Sequence, residues 1–383
     1  MTLPTDRPRV HFNPSVRTFP SAPDARLLDF HRRLPGYAPT PLVPAPHLAA
    51  ALGIRGAWVK DESDRLGLPA YKILGASWAT YRELETLFGP FEPWGTLEDL
   101  AAQLRRHLPL TLVAATDGNH GRAVARVACW LGLDAHILVP GDMVPARIHA
   151  IGAEGARVEV VPGTYDEAVA AAARLADARH LVISNTAWDG YTRVPGWVIG
   201  GYGTIFGEID AQLSERGGVQ PDVVAVQMGV GALATAVVRH YRAPGQGTRV
   251  VGVEPTRADC VRRSLEAGEP TEVPGPHASV MAGLNCGNVS PLAWPFLRDG
   301  LSASVAISDA RAGEALRLLA RDGVTSRESG AAGAAGLLEL LTGAFAVRAR
   351  EALGVMPQST VLVISTEGVT DPDSHARILC GEG

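Results

Sequence analysis

Short, continuous apolar runs alternate with longer helical stretches through the middle of this chain. The apolar runs predict strands at 111–115, 135–139, 157–161, 180–183, 223–226, 249–253 and 360–364. The helical stretches between them are 122–131, 166–176 and 233–241. Strands that alternate with helices indicate parallel sheets with helical crossovers, and strands apolar at every residue are typical of sheets covered on both faces. We therefore predict an α/β fold with open, mostly parallel sheets and helices on both faces.

Composition and charge narrow the class of partner. The 383 residues are 46% hydrophobic and 20% charged, with a formal net charge of -5. This balance argues against a nucleic-acid or anionic-membrane partner, and no apolar run is long enough for a membrane span. The first residues lack the basic and apolar regions of a secretory signal, so we expect a cytoplasmic protein.

The four cysteines give no metal-binding pattern. Cys129, Cys260, Cys286 and Cys380 show no CxxC spacing and have no clustered histidines. A zinc site is therefore not predicted, and we assign no metal ligand. Cys260 and Cys286 could meet in space, but reduced thiols are the default in a cytoplasmic chain.

Lysine is rare in this sequence. Only Lys60 and Lys72 occur, and arginine supplies the other cationic side chains. A guanidinium stays protonated, whereas a desolvated lysine can lose its proton and form a Schiff base. Lys72, between an aromatic residue and a small apolar run, is therefore a candidate for covalent chemistry. A compositional bias against lysine would produce the same scarcity, so other motifs must decide.

Residues 229–233 form a glycine-rich loop between a predicted strand and a predicted helix. Such a loop presents backbone N–H groups and a helix N-terminus to an anion, preferably a phosphate. With Glu254 at the end of the next strand, the loop could be a dinucleotide site. It could equally hold a monophosphate cofactor, or be only a tight turn.

Two further loops follow predicted strands. Residues 117–121 (Asp-Gly-Asn-His-Gly) combine glycines that permit close backbone approach with side chains able to exchange protons or hydrogen bonds. His120 alone is more often structural, and Asp117 could simply cap a helix. Ser365 and Thr366 follow the last strand. Ligands of open α/β sheets collect beyond the carboxyl ends of the strands, so we expect these loops and Lys72 to converge on one crevice.

Taken together, these motifs resemble the fold-type II (tryptophan-synthase-type) pyridoxal-phosphate enzymes. Within that family the chain is similar to the diaminopropionate ammonia-lyases, from about Phe30 to Pro372. The segments that carry the resemblance are 60–63 with Lys72, 115–122, 186–191, 229–231, 281–284, 328–331 and 365–368. The resemblance implies two α/β domains. The larger, cofactor-binding domain would comprise 1–77 and 199–383, and the smaller, inserted domain 78–198 would close over the substrate.

The resemblance also implies roles for individual residues. Lys72 would bind pyridoxal phosphate as a Schiff base and later exchange the Cα proton, with Asp117 as a second acid–base group. Asn119 would bind the ring hydroxyl of the cofactor, and Ser365, or less favourably Thr366, would face its ring nitrogen. The cofactor phosphate would be held by backbone amides of Gly229, Val230, Gly231, Ala232 and Leu233. The substrate would be bound by Thr116, Gly118, His120 and Asn185.

The implied reaction is β-elimination from a 2,3-diaminopropionate-like amino acid to pyruvate and ammonia, catalysed by a homodimer. The chain departs from the family pattern at Asn185, Asn288 and Val369, where members of the family usually carry acids. One hypothesis is that the group leaving Cβ is not a plain ammonium. The other is that these three substitutions are neutral and the ammonia-lyase activity is kept. A serine/threonine dehydratase, a β-replacement synthase, a non-catalytic relative and an NAD(P)-dependent oxidoreductase stay open as alternatives.

Overall fold

The computed structural model describes residues 7–20, 24–369 and 372–379, and Cys380 lies outside them. The chain divides into two compact units. The first consists of Met1–Ala22, Pro39–Asp64 and Ile205–Gly383, and the second of Pro23–Ala38 and Arg65–Thr204. The division into domains at residues 78 and 198 stays a prediction. Cys129, Cys260 and Cys286 are reduced.

The first unit contains a seven-stranded sheet with strand order β1-β10-β9-β8-β11-β3-β2. The short edge strands β1 and β2 run antiparallel to their neighbours, and all other pairs are parallel. The strands are β1 Arg9–Phe12, β2 Leu42–Pro44, β3 Gly56–Asp61, β8 Val223–Gln227, β9 Arg249–Pro255, β10 Ala303–Ile307 and β11 Thr360–Ser365. The helices are α2 Pro46–Leu52, α10 Ala232–Tyr241, α11 Cys260–Ala267, α12 Trp294–Gly300, α13 Asp309–Arg321, α14 Glu328–Thr342, α15 Ala346–Leu353 and α16 Pro372–Leu379.

Helix α14 lies in the core of the first unit, against β8, β9, β10 and β11. All of its residues except Thr342 are buried. Its glycines allow the close approach, since a Cβ at Gly333 would lie 3.1 Å from the carbonyl oxygen of Ala225. Within the described residues no single helix is long and apolar enough to cross a membrane; α14 and α15, bent by 107°, meet that criterion only as a pair.

The second unit contains a four-stranded parallel sheet with strand order β6-β5-β4-β7. The strands are β4 Thr111–Ala115, β5 Asp134–Pro140, β6 Arg157–Val161 and β7 His180–Val182. The helices are α1 Leu27–Arg32, α3 Lys72–Phe88, α4 Leu97–Leu104, α5 Asn119–Leu131, α6 Pro145–Gly152, α7 Tyr165–Arg174 and α8 Arg193–Gly201, and α9 Gly203–Ser214 contains the unit boundary. The predicted α/β class with two mostly parallel sheets is confirmed.

Candidate active site

The two lysines have different surroundings. Lys60, on β3, is fully buried, and its Nζ donates to Glu208 Oε2 at 2.7 Å and to the carbonyl oxygen of Thr40 at 2.8 Å. Gln212 Oε1 accepts a third bond at 3.1 Å. An ammonium that donates all three of its protons to buried acceptors has none left for another partner. Lys60 is therefore a structural cation of the first unit.

Lys72 is the first residue of α3 and is only partly buried. Its Nζ lies 5.1 Å from the ring centroid of Tyr71 and has neither a hydrogen-bond nor an ion-pair partner among the described residues. Behind it, a Cβ at Gly75 would lie 2.6 Å from the ring of Tyr202, so α3 packs closely at this glycine. The fold therefore presents one uncommitted amine on a rigid helix.

The loop after β4 is shaped by Thr116 and Gly118. Gly118 has φ +146° and precedes α5, and Thr116 Oγ1 accepts hydrogen bonds from the amides of Gly118 and Gly121, each at 2.9 Å. The N-cap position of α5 belongs to Gly118, so Asp117 lies one residue earlier. Its carbonyl oxygen accepts a bond from Arg147 at 3.1 Å, which fixes the backbone of Asp117.

His120 and Asn185 lie at the same edge of the second sheet as this loop. Strands β4 and β7 are adjacent and parallel, so the segments that follow them share that edge. His120 Nε2 is 2.8 Å from the carbonyl oxygen of Ile183. Burial, and to a smaller extent the positive charge of Lys72, lower the pKa of His120 to about 4. Asn185 Oδ1 accepts a hydrogen bond from the hydroxyl of Tyr165 at 3.4 Å.

The second unit thus brings together Lys72, Thr116–His120 and Asn185. These residues are connected by the backbone of Thr116–His120, by the hydrogen bond to the carbonyl of Ile183 and by the packing of α3 against α5. Sequence reasoning missed Tyr165, the hydrogen-bond partner of Asn185. The only sequence signal for it is an aromatic residue directly after Thr164, which caps α7.

The glycine-rich loop of the first unit has the geometry of an anion cradle. Gly231, with φ +100°, is the N-cap of α10, and no side chain caps that helix. A Cβ at Gly231 would lie 2.6 Å from Leu297, and one at Gly229 would lie 3.0 Å from the sulfur of Cys286. The first amides of a helix have no partner within it, so an uncapped N-terminus reached by glycines fits a phosphate. The cofactor predicted from the sequence therefore fits these residues.

Two buried hydroxyls lie at the carboxyl end of β11, on its last residue and the residue after it. Because β11 is the parallel neighbour of β8, these hydroxyls lie at the same end of the sheet as the glycine loop. Ser365 Oγ donates to Ser326 Oγ at 2.9 Å, and Thr366 Oγ1 accepts from Gln227 Nε2 at 2.6 Å. Gln227 also donates to the carbonyl oxygens of Gly330 and Ile364, so it ties β8 to β11. Sequence reasoning missed Gln227, although a single amide at the end of an otherwise apolar strand was visible.

Glu254 does not serve the glycine loop. It is fully buried, and its carboxylate accepts hydrogen bonds from the amides of Val261 and Arg262, each at 2.8 Å. Burial raises the pKa of Glu254 to about 8. A carboxyl group occupied at the start of α11 cannot bind the ribose hydroxyls of a dinucleotide, so the feature that favoured such a site is absent.

Each unit has features that suit a cofactor-dependent enzyme. The second has an uncommitted lysine, and the first has a glycine-lined anion cradle and buried hydroxyls at a strand end. Residues 33–367 match the family of pyridoxal-phosphate dependent enzymes, and the chain belongs to this family. The predicted cofactor and the predicted enzyme class are confirmed, and the NAD(P)-dependent alternative is wrong.

Individual relatives are similar over nearly the whole chain. Diaminopropionate ammonia-lyase of Escherichia coli (strain K12) is 35% identical over 390 residues, covering 97% of this chain and 95% of the relative. The crystal structure of the E. coli enzyme in complex with D-serine has a TM-score of 0.88 at 33% identity, covering 99% of this chain and 98% of that one. Its complex with an aminoacrylate-PLP azomethine reaction intermediate has a TM-score of 0.84 at 32% identity and the same coverage.

Proposed function

We propose that this enzyme catalyses β-elimination from 2,3-diaminopropionate or a closely similar α-amino acid, giving pyruvate and ammonia. The observation that carries this proposal is the extent of the similarity to diaminopropionate ammonia-lyases, which covers 97% of the chain. Pyridoxal phosphate, when bound, supplies the electron sink that stabilises negative charge at Cα. The chain's own residues must then bind the substrate, move the proton and assist the leaving group.

Lys72 is proposed as the residue that binds the cofactor covalently and, once released, takes the Cα proton. Its lack of any other hydrogen-bond partner among the described residues leaves the amine available for both steps. Asp117 is proposed as the second acid–base group, on a backbone fixed by Arg147. A general acid or base in position contributes about 10²–10⁴-fold in rate.

Binding roles are proposed for the remaining residues. The amides of 229–233 hold the phosphate, Asn119 binds the ring hydroxyl, and Ser365 or Thr366 faces the ring nitrogen. Thr116, Gly118, His120 and Asn185 bind the substrate. The homodimer, the cytoplasmic location and the closure of a smaller domain stay predictions.

A neutral leaving group is the second candidate. Asn185 is an amide, and the hydroxyl of Tyr165 contacts its oxygen, so this position contributes no negative charge. A β-ammonium is stabilised by a carboxylate and gains less from an amide, whereas a hydroxyl needs only a hydrogen bond. This favours serine-like substrates and keeps a serine/threonine dehydratase or a β-replacement synthase as alternatives.

Pyruvate release by purified wild type and Lys72→Ala tests the main proposal. We expect DL-2,3-diaminopropionate to give two molecules of ammonia for each pyruvate with wild type, one from Cβ and one from hydrolysis of the aminoacrylate. We expect a loss of more than about 10³-fold in Lys72→Ala. The visible absorbance of the Lys72-bound cofactor should disappear in the same variant. Faster pyruvate release from serine than from diaminopropionate would show that the enzyme prefers a neutral leaving group, as the second candidate function requires. Pyruvate release by Lys72→Ala at the wild-type rate would refute the role of Lys72.

A further inference from the structure

Gln227 presents its side-chain amide to three oxygens at once. Its Nε2 lies 2.6 Å from Thr366 Oγ1, 3.0 Å from the carbonyl oxygen of Ile364 and 3.3 Å from that of Gly330. Carbonyl oxygens can only accept, so the nitrogen of the amide, and not its oxygen, must face them. An amide nitrogen donates hydrogen bonds and does not accept them. The oxygen of Thr366 is therefore an acceptor toward Gln227, and the hydrogen of its hydroxyl points elsewhere.

The hydroxyl hydrogen of Thr366 has no acceptor among the described residues. Within them, Gln227 is the only hydrogen-bond partner of that hydroxyl, and its amide nitrogen can only donate. Thr366 is only 4% exposed. Buried polar groups in native proteins are normally paired, and one that is not calls for a specific explanation. We infer that this hydroxyl is placed to donate a hydrogen bond to a bound group.

Ser365, which carries the neighbouring hydroxyl, has the opposite polarity. Its Oγ lies 2.9 Å from Ser326 Oγ, and Ser326 Oγ lies 3.2 Å from the carbonyl oxygen of Arg327. Because that carbonyl can only accept, the hydrogen of Ser326 goes to it, and Ser365 donates its own hydrogen to Ser326. Ser365 therefore has no hydrogen left, and it can act only as an acceptor toward a further group.

Thr366 lies close to the glycine loop that fits the cofactor phosphate. Gln227 is the last residue of β8, two residues before Gly229. A Cβ at Gly229 would lie 3.3 Å from the carbonyl oxygen of Gly283, and a Cβ at Gly283 would lie 3.4 Å from Oε1 of Glu367. The segment around Gly283 thus lies against both the loop and the residue that follows Thr366. The hydroxyl of Thr366 and the anion cradle therefore belong to one site of the first unit.

We propose that Gln227 orients the Thr366 hydroxyl so that it donates a hydrogen bond to the ring nitrogen of pyridoxal phosphate. Gln227 is thus a positioning residue, and Thr366, rather than Ser365, is the partner of the ring nitrogen. A donor fits a ring nitrogen that carries no proton, whereas an acceptor such as Ser365 fits only a protonated one. The chain thereby favours the unprotonated cofactor ring. This inference rests on the proposed function, because it requires the ring to bind at the end of β11.

The ¹⁵N NMR signal of the ring nitrogen tests this inference without turnover. The enzyme is loaded with pyridoxal phosphate labelled at that nitrogen, and no substrate is added. We expect the wild-type signal at the position of an unprotonated, hydrogen-bonded pyridine. Thr366→Val, which replaces the hydroxyl with a methyl group, should move the signal to the position of a free pyridine and weaken cofactor binding about tenfold. Ser365→Ala should leave the signal in place.

Gln227→Met removes the amide but keeps the length of the side chain. We expect the ring-nitrogen signal to move part of the way toward that of a free pyridine, because the Thr366 hydroxyl is no longer held as a donor. In a Thr366→Val background the same replacement should cause no further movement, since Gln227 acts through that hydroxyl. Gln227→Asn, which withdraws the amide by one methylene, gives the same test with a smaller change. Gln212→Met is the matched control, since it removes a partly buried amide elsewhere in the first unit and should leave the signal in place.

The variants separate the alternatives. A wild-type signal at the position of a protonated pyridine, or movement in Ser365→Ala without movement in Thr366→Val, would overturn the assignment of Thr366. Movement in Thr366→Val without movement in either Gln227 variant would overturn the role of Gln227. No movement in any variant would show that the ring does not bind at the end of β11. Pyruvate release by wild type is measured separately, so a failure of the proposed reaction is distinguished from a failure of this inference.

Discussion

Replacing Gly231 with alanine tests the anion cradle of the first unit. With φ at +100°, Gly231 has a backbone conformation that costs an L-residue roughly 1–2 kcal/mol. The added Cβ would lie 2.6 Å from Leu297 and 3.1 Å from Ala293, and such overpacking costs about 1–3 kcal/mol. Leu297 is fully buried and the Cβ of Ala293 cannot rotate away, so we expect the loop to shift and the amides of 230–233 to move with it. We therefore expect Gly231→Ala to lower the free energy of unfolding by roughly 2–5 kcal/mol and to weaken cofactor binding at least tenfold, since a tenfold change corresponds to about 1.4 kcal/mol.

Gly268→Ala is the matched control for backbone strain. Gly268 ends α11 with φ +81°, and a Cβ there would meet no atom within 4 Å. In this variant the free energy of unfolding should fall only by the cost of backbone strain, about 1–2 kcal/mol, and the cofactor should bind normally. Urea unfolding at one fixed cofactor concentration measures stability, and titration of the visible absorbance of bound cofactor measures affinity. Equal losses of stability with unchanged affinity in both variants would refute the assignment of the 229–233 loop to the phosphate.

Three further predictions concern buried polar groups. Lys60→Met should destabilise the protein by about 3–5 kcal/mol, because it leaves the Glu208 carboxylate buried without its cation, yet folded protein should keep its cofactor absorbance. Folding lowers the pKa of His120 from 6.5 to about 4, so the unfolded state binds more protons between these pH values. The free energy of unfolding should therefore fall by roughly 3 kcal/mol as the pH falls from 6.5 to 4. Urea unfolding of His120→Asn should lack this pH-dependent loss. Tyr202→Phe should raise the free energy of unfolding by about 1 kcal/mol, because the hydroxyl is buried without a partner; a destabilised variant would show that a partner exists.

Seven strands, β4 to β9 and β11, could be predicted from the sequence because each is a local apolar run. Strands β4 and β6 have the predicted bounds, and β8, β9 and β11 extend one or two residues beyond them. The edge strands β1 and β2 and the internal strands β3 and β10 were not predicted. Strand β1 has four residues and pairs with β10 nearly 300 residues later, so nothing in its own composition marks it as a strand.

The sequence by itself determined the α/β class, the family motifs and the loops that follow the strands, because these depend on spacing along the chain. Only the tertiary structure decided which side chains are already engaged in hydrogen bonds or ion pairs within the protein. Lys60 and Lys72 are alike as residues, yet Lys60 is neutralised by Glu208, 148 residues away. His120 likewise donates its one N–H, at Nε2, to the carbonyl oxygen of Ile183, 63 residues later. Its other nitrogen is therefore left as an acceptor. A side chain's chemistry depends on its hydrogen-bond partners and its burial, and folding brings those partners from distant parts of the chain.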